Sequence, residues 1–172
     1  MLRYTLYEIR RSVLSFSSLF YTIIMPVGLY LLFGALQDYA KIKVADGNAA
    51  AYVMIGIALY GAISCTVSIS GLTVVENVAG WGRQLGLTPM NTGKYLLSKC
   101  CVAFIMAAVP ITAVNIVARM TKIDMPLKQQ IACAALSILC AMVFGFFGLA
   151  IGFLVPSESA VGIANGILVV FS

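Results

Sequence analysis

At 172 residues the chain is 62% hydrophobic and only 10% charged, too few charges to cover the surface of a water-soluble domain of that length. Its formal net charge of +5 rests on 11 Lys and Arg scattered through ends and loops, a pattern that argues against nucleic acid and for lipid phosphates as partners. Histidine is absent, and Cys65, Cys100, Cys101, Cys133 and Cys140 contain no CxxC and fall within or at the start of apolar runs, so they read as packing residues and no metal site is expected.

The first element lies at residues 1–17. Leu2, Leu6, Ile9, Val13 and Phe16 recur at spacings of four and three, which aligns them on one stripe of a helix, while Arg3 and Arg10 share another face and Glu8 can pair with Arg11. This predicts an amphipathic interfacial helix in which Leu2, Leu6 and Ile9 enter the acyl chains and Arg3, Arg10 and Arg11 meet phosphates. The alternative is a plain cytoplasmic extension of the first span. A secretory signal is disfavoured, because the apolar run that follows is longer than a signal core and no small-x-small cleavage site follows it.

A helix needs roughly 20 mostly apolar residues to cross about 30 Å of hydrocarbon. Residues 19–36, 51–75, 95–118 and 131–155 meet that requirement, and the apolar part of the third is Cys100–Ala118. Residues 160–172 are apolar but reach only about 20 Å at the helical rise, so the chain is expected to end inside a fifth span. The fold class predicted is therefore an all-α integral membrane protein: one transmembrane domain over residues 1–172, a polytopic helical bundle of four complete spans plus the start of a fifth. The N-terminal arginines place the N-terminus in the cytoplasm of a multi-pass protein of the cell membrane. The basic residues of the later loops divide almost evenly and add little.

Inside the spans no Asp, Glu, Lys, Arg or His lies near a helix centre, and Lys99 sits near an end where it can snorkel. Proton-driven transport and hydrolytic catalysis both lose ground, since each needs an intramembrane titratable group or a nucleophile with its base. Ser64, Thr66, Ser68, Ser70 and Thr73 line the second span, with Asn115 in the third and Asn165 in the fifth. Each can bond between helices or face a pathway, for which Ser64, Ser68, Asn115 and Asn165 are the candidates. Gly148–Gly152 and Gly162–Gly166 are GxxxG pairs that permit close helix packing within the subunit or between subunits. Pro26 and Pro110 are expected to bend their spans.

The most distinctive stretch is the connection 76–90. Val78, Trp81 and Leu85 form an apolar ridge at helical spacing beside Arg83 and Gln84, and Thr88-Pro89 stops the helix. Such a cytoplasmic helix can dock on a soluble partner with Trp81 as anchor. Gly93-Lys94 superficially matches the end of a phosphate loop, but Thr88 stands where its first glycine belongs and Tyr95 where its magnesium-binding hydroxyl belongs. The chain is not itself an ATPase.

The order Glu76, Arg83, Leu85, Thr88-Pro89 and Gly93-Lys94, with the N-terminal amphipathic helix and Pro156-Ser-Glu-Ser159, resembles the permease subunits of type-2 ATP-binding-cassette exporters. The likeness covers most of the chain. It departs from the family's charged cluster in having Glu76 alone together with Gly80, Gly82 and Gly86, and it stops short of the usual six spans. The resemblance implies that 76–90 is the coupling helix, with Glu76, Val78, Trp81, Arg83, Gln84 and Leu85 at the ATPase contact. It also implies a second permease subunit, identical or paralogous, and no cofactor on this chain, with ATP and Mg on a separate ATPase subunit. Transport would proceed by alternating access. The spans offer apolar and hydroxyl surface, which suits a hydrophobic or amphipathic drug, lipid or peptide. The competing reading is a non-transporting helical scaffold or regulator that binds a cytoplasmic partner through 76–90. A membrane enzyme would need a catalytic pair beyond Ser172.

Overall fold

A computed structural model describes residues 6–7, 9–10, 20–37, 42–44, 47–76, 92–121, 123–154, 159, 162–163 and 165–167. Helix α1, Phe20–Ala35, combines a π-helical turn at Phe20–Ile24, an α-helical segment at Met25–Tyr30 and a second π-helical turn at Leu31–Ala35. The first widened turn ends where Pro26 enters. Proline has no N–H to donate and its ring crowds the carbonyl four residues back, so a looser turn ahead of it and a fresh α-helical start remove the conflict.

After α1, strands β1 (Lys43–Val44) and β2 (Gly47–Asn48) pair antiparallel, Lys43 opposite Asn48 and Val44 opposite Gly47. This short hairpin delivers Asn48 to the start of helix α2, Ala49–Glu76. The buried Asn48 accepts a hydrogen bond at Oδ1 from the Ala51 amide, 3.2 Å away, and so caps one of the donors a helix leaves unpaired. Helix α3 spans Thr92–Met120 and continues through Pro110. Its last turn closes when the Thr121 amide returns to the Val117 and Ala118 carbonyls and the Ile123 amide to Ala118. Helix α4, Leu127–Leu154, follows.

Helix α2 packs against the other three. Contacts fix the directions. Pro26 of α1 and Pro110 of α3 both meet Gly61, while Cys65 approaches Thr22 and Glu76 approaches Lys99, so α1 and α3 run antiparallel to α2. Gly145 meets Thr66 and Gly148 meets Val67, so α4 runs parallel to α2. The core is built largely from small side chains, Ala58, Ala62, Ala107, Ala118 and Ala141, with Tyr30, Met54 and Ile111 filling between them.

Small residues set the helix spacing because nothing larger fits. A Cβ added at Gly148 would lie 2.6 Å from the Val67 carbonyl oxygen and 2.8 Å from its Cα, both backbone atoms that cannot swing aside. One added at Gly61 would lie 3.1 Å from each of the two prolines.

Large apolar side chains face outward instead, among them Leu32, Phe33, Phe104, Ile116, Leu136 and Phe146. Helices α2, α3 and α4 are long and apolar enough to cross a membrane, and α1 is a shorter apolar helix among the described residues. Helices satisfy their own backbone groups, and side chains that would be costly in water are at home in lipid. The architecture is that of a helical membrane protein.

Candidate functional site

Two polar features and one cavity stand out in this bundle. The cavity, about 530 Å³, lies between α1 and α2 and is also lined by Met106 of α3 and by Asn165. That volume is in the range that holds a drug-sized molecule. Its apolar walls come from Met25, Leu29, Ile69 and Leu72, and its polar groups from Thr22, Tyr60, Ser64 and Ser68. Among the described residues no Asp, Glu, Lys or Arg lines it. Serine recurs at 64 and 68 because residues four apart share a helix face, so α2 presents a hydroxyl stripe to the cavity.

Asn165 donates from Nδ2 to Ser68 Oγ at 2.9 Å. Its Oδ1 is buried, and among the described residues it has no hydrogen-bond partner. An unpaired buried acceptor costs about 1–3 kcal/mol, so a donor supplied from the cavity has a ready counterpart.

The second feature lies at one end of the bundle, where α2 ends and α3 begins. Lys99 Nζ is 2.7 Å from Glu76 Oε2. The Tyr95 hydroxyl donates to the same oxygen at 3.1 Å, and the ammonium stands 5.5 Å from the Tyr95 ring centroid. Tyr95 and Lys99 reach one carboxylate because they lie one helical turn apart on α3. Lys99 is 7% exposed, so it does not snorkel into water as its position near a helix end predicts. It is spent on an ion pair.

The third lies at the opposite end. Gln130 Nε2 donates to Asn115 Oδ1 at 2.8 Å, Arg119 Nε donates to Gln130 Oε1 at 2.9 Å, and Asn115 Nδ2 donates to the Ile111 carbonyl at 2.7 Å. Tyr30 and Thr121 share a hydrogen bond of 2.8 Å that ties the end of α1 to the end of α3.

Of the four pathway candidates, the structure therefore gathers Ser64, Ser68 and Asn165 at one cavity and places Asn115 apart from it, engaged with Gln130. Gly148 lies against α2, whereas added Cβ atoms at Gly162 and Gly166 would meet nothing within 4 Å. Leu6 and Arg10 are helical and exposed, and Ile9 is helical and half-buried. Leu2, Arg3 and Arg11 lie outside the described residues, as do Val78, Trp81, Arg83, Gln84 and Leu85 of the 76–90 segment and the Pro156-Ser-Glu stretch. For Gly152 only the backbone is described.

Tyr95 and Lys99 are the site residues that sequence reasoning overlooked. Their one-turn spacing just after the connection is visible in the sequence, but their partner at the end of the preceding helix is not.

A family model described as "ABC-2 type transporter" matches residues 2–172. The chain belongs to this family. Neither a curated protein nor a solved structure matches it. As an ABC-2 membrane domain it is a permease component of an ABC transporter, without an ATPase site of its own, and the family implies an ABC ATPase as its partner. The ABC-2 assignment gives the uncharged cavity and the Glu76–Lys99 pair their context. One lies within the bundle, and the other lies at the roots of the connection between α2 and α3.

Proposed function

We propose that this chain is the membrane-spanning permease of an ABC exporter that moves an uncharged amphiphile out of the cell, driven by a separate ATPase subunit that binds ATP and Mg. The observation that carries this reading is the family match over residues 2–172. The cavity supports the substrate class: apolar walls would hold the hydrocarbon part, and the Ser64–Ser68–Asn165 groups would meet a hydroxyl or amide on the ligand. A permanent charge would be taken from water with no countercharge among the described lining residues. The spans work by alternating access in a pair of permease subunits of the cell membrane, with the N-terminus and the 76–90 coupling helix in the cytoplasm. There Trp81, Val78 and Leu85 make the apolar contact with the ATPase, and Glu76, Arg83 and Gln84 set its register. The interfacial helix at 1–17 rests on lipid, and Gly162 and Gly166 are available to a second subunit.

The test is stimulation of ATP turnover. With the permease and its ATPase in lipid nanodiscs, uncharged amphiphiles bearing an N–H or O–H donor are expected to raise turnover more than cationic or anionic analogues of equal apolar size. Ser68→Leu, which fills the cavity, is expected to abolish that stimulation. Stimulation by charged analogues alone, or full stimulation in Ser68→Leu, would contradict the assignment.

A further inference from the structure

The Glu76–Lys99–Tyr95 cluster brackets the 77–91 connection from both sides. Glu76 is the last residue of α2, and Tyr95 and Lys99 stand on the first two turns of α3. We infer that Lys99 and Tyr95 are positioning residues: by holding the Glu76 carboxylate they make the two roots of the coupling segment move as one body, so that a displacement of that segment reaches the cavity along α2. This rests on the exporter reading given above.

Three observations support it. The roots are a covalent route for a force applied to 77–91, because the chain is continuous into α2 at one end and α3 at the other. The roots are joined side chain to side chain by a short charge-assisted contact of 2.7 Å, and the ammonium is removed from water, where screening by solvent and salt is weak. The same helix then carries the motion onward. Leu72, one turn before Glu76, lines the cavity, as do Ile69, Ser68, Cys65 and Ser64 further along. Without the pair, α2 and α3 can separate at their ends, and the same push is absorbed in the gap.

Cys65 supplies the readout. It lines the cavity and is a free thiol about three turns from Glu76. In a chain with Cys100, Cys101, Cys133 and Cys140 replaced by serine, complexed with its ATPase in nanodiscs, the rate of labelling by N-ethylmaleimide reports water at that position, since the thiolate is the reacting form. The rate is compared between the nucleotide-free and the ATP-vanadate states.

With both roots intact the two rates are expected to differ about fivefold or more, the scale of ordinary coupling between sites. The neutral pair Glu76→Gln/Lys99→Met removes both charges of the contact together. At saturating ATPase, so that any weakening of the Glu76 contact with that subunit is made up by concentration, the difference is expected to fall below about twofold, and Lys99→Arg, which keeps the charge, is expected to restore most of it.

A full nucleotide response in the neutral pair, or a response in Lys99→Arg no larger than in the neutral pair, overturns the inference while leaving the exporter reading in place. Absence of any nucleotide response in the chain with both roots intact overturns both. If the neutral pair does not assemble, Lys99→Gln alone decides: it leaves Glu76 in place for the ATPase and removes the charge that holds it, a response cut to half or less is expected, and an undiminished response overturns the inference.

Discussion

At the scale of single residues, the membrane makes each uncompensated polar group count. Lys99 shows this most directly. Replacing it by methionine removes a side chain that is 7% exposed and strands the carboxylate of Glu76 beside a tyrosine hydroxyl. Breaking a buried pair from one side is worth about 3–5 kcal/mol, and the partial exposure of Glu76 reduces that figure here. Lys99→Met alone should therefore lower the thermal midpoint of the detergent-purified protein, and Glu76→Gln/Lys99→Met should recover part of the loss. Equal midpoints for the single and double variants would show that the carboxylate left without Lys99 carries no penalty.

Asn165 presents the reverse case, an acceptor left open. Asn165→Leu removes an oxygen that has no partner among the described residues, a state that costs about 1–3 kcal/mol, but also loses the bond to Ser68, so it is expected to leave the thermal midpoint nearly unchanged while weakening binding of a donor-bearing amphiphile. Tryptophan-fluorescence or calorimetric titration with the uncharged probe checks the second part. Unchanged affinity would mean that Asn165 does not meet the ligand.

At the scale of helices, glycine position decides how closely α4 approaches α2. Gly148→Ala forces backbone apart, whereas Gly56→Ala adds a methyl group where nothing lies within 4 Å. The first should cost about 1–3 kcal/mol and the second should be neutral or slightly stabilising, read as shifts in thermal midpoint. A neutral Gly148→Ala would mean that α2 and α4 are not held at this distance.

Here the limits of reading the sequence become physical. Long apolar runs without central charge are enough to specify membrane helices, because no other open structure satisfies a backbone in lipid, and so the helical fold class was legible. Partner choice was not. Gly145 pairs with Gly148 against Thr66, Val67 and Ser70, a contact that cuts across the GxxxG spacing and depends on the turn of α4 that happens to face α2.

Nor did Pro26 and Pro110 announce that they would converge on Gly61. The cavity was half legible: a hydroxyl stripe on α2 is a pattern within one helix, but Thr22, Tyr60 and Met106 join it through tertiary packing alone. Asn115 illustrates the same point in the other direction. An intramembrane amide reads equally well as a pathway group or as an interhelical bond until Gln130 is seen beside it.

At the scale of the molecule, the bundle sorts its polar chemistry by height. One end holds the Asn115–Gln130–Arg119 network, the other holds the Glu76 cluster, and an uncharged cavity lies beside α2 between them. A permease powered from outside needs no titratable group at its centre, since its energy arrives mechanically at one end. This division of labour fits an ABC-2 membrane domain, whose family implies an ABC ATPase as partner. A scaffold that only recruits a partner has no use for a pathway, and its partner would bind equally well with or without nucleotide.

The most direct test of the account is co-purification, in detergent, of the chain with an ABC ATPase subunit from its own genome, comparing the native sequence with Trp81→Ala and following ATP hydrolysis in nanodiscs. The account predicts a stable complex with measurable turnover. It also predicts about a 30-fold loss of ATPase affinity in Trp81→Ala, the effect of removing an anchor worth about 2 kcal/mol. Recovery of the chain with no ATPase subunit, or a complex whose affinity and turnover are unchanged in Trp81→Ala and indifferent to nucleotide, would contradict it.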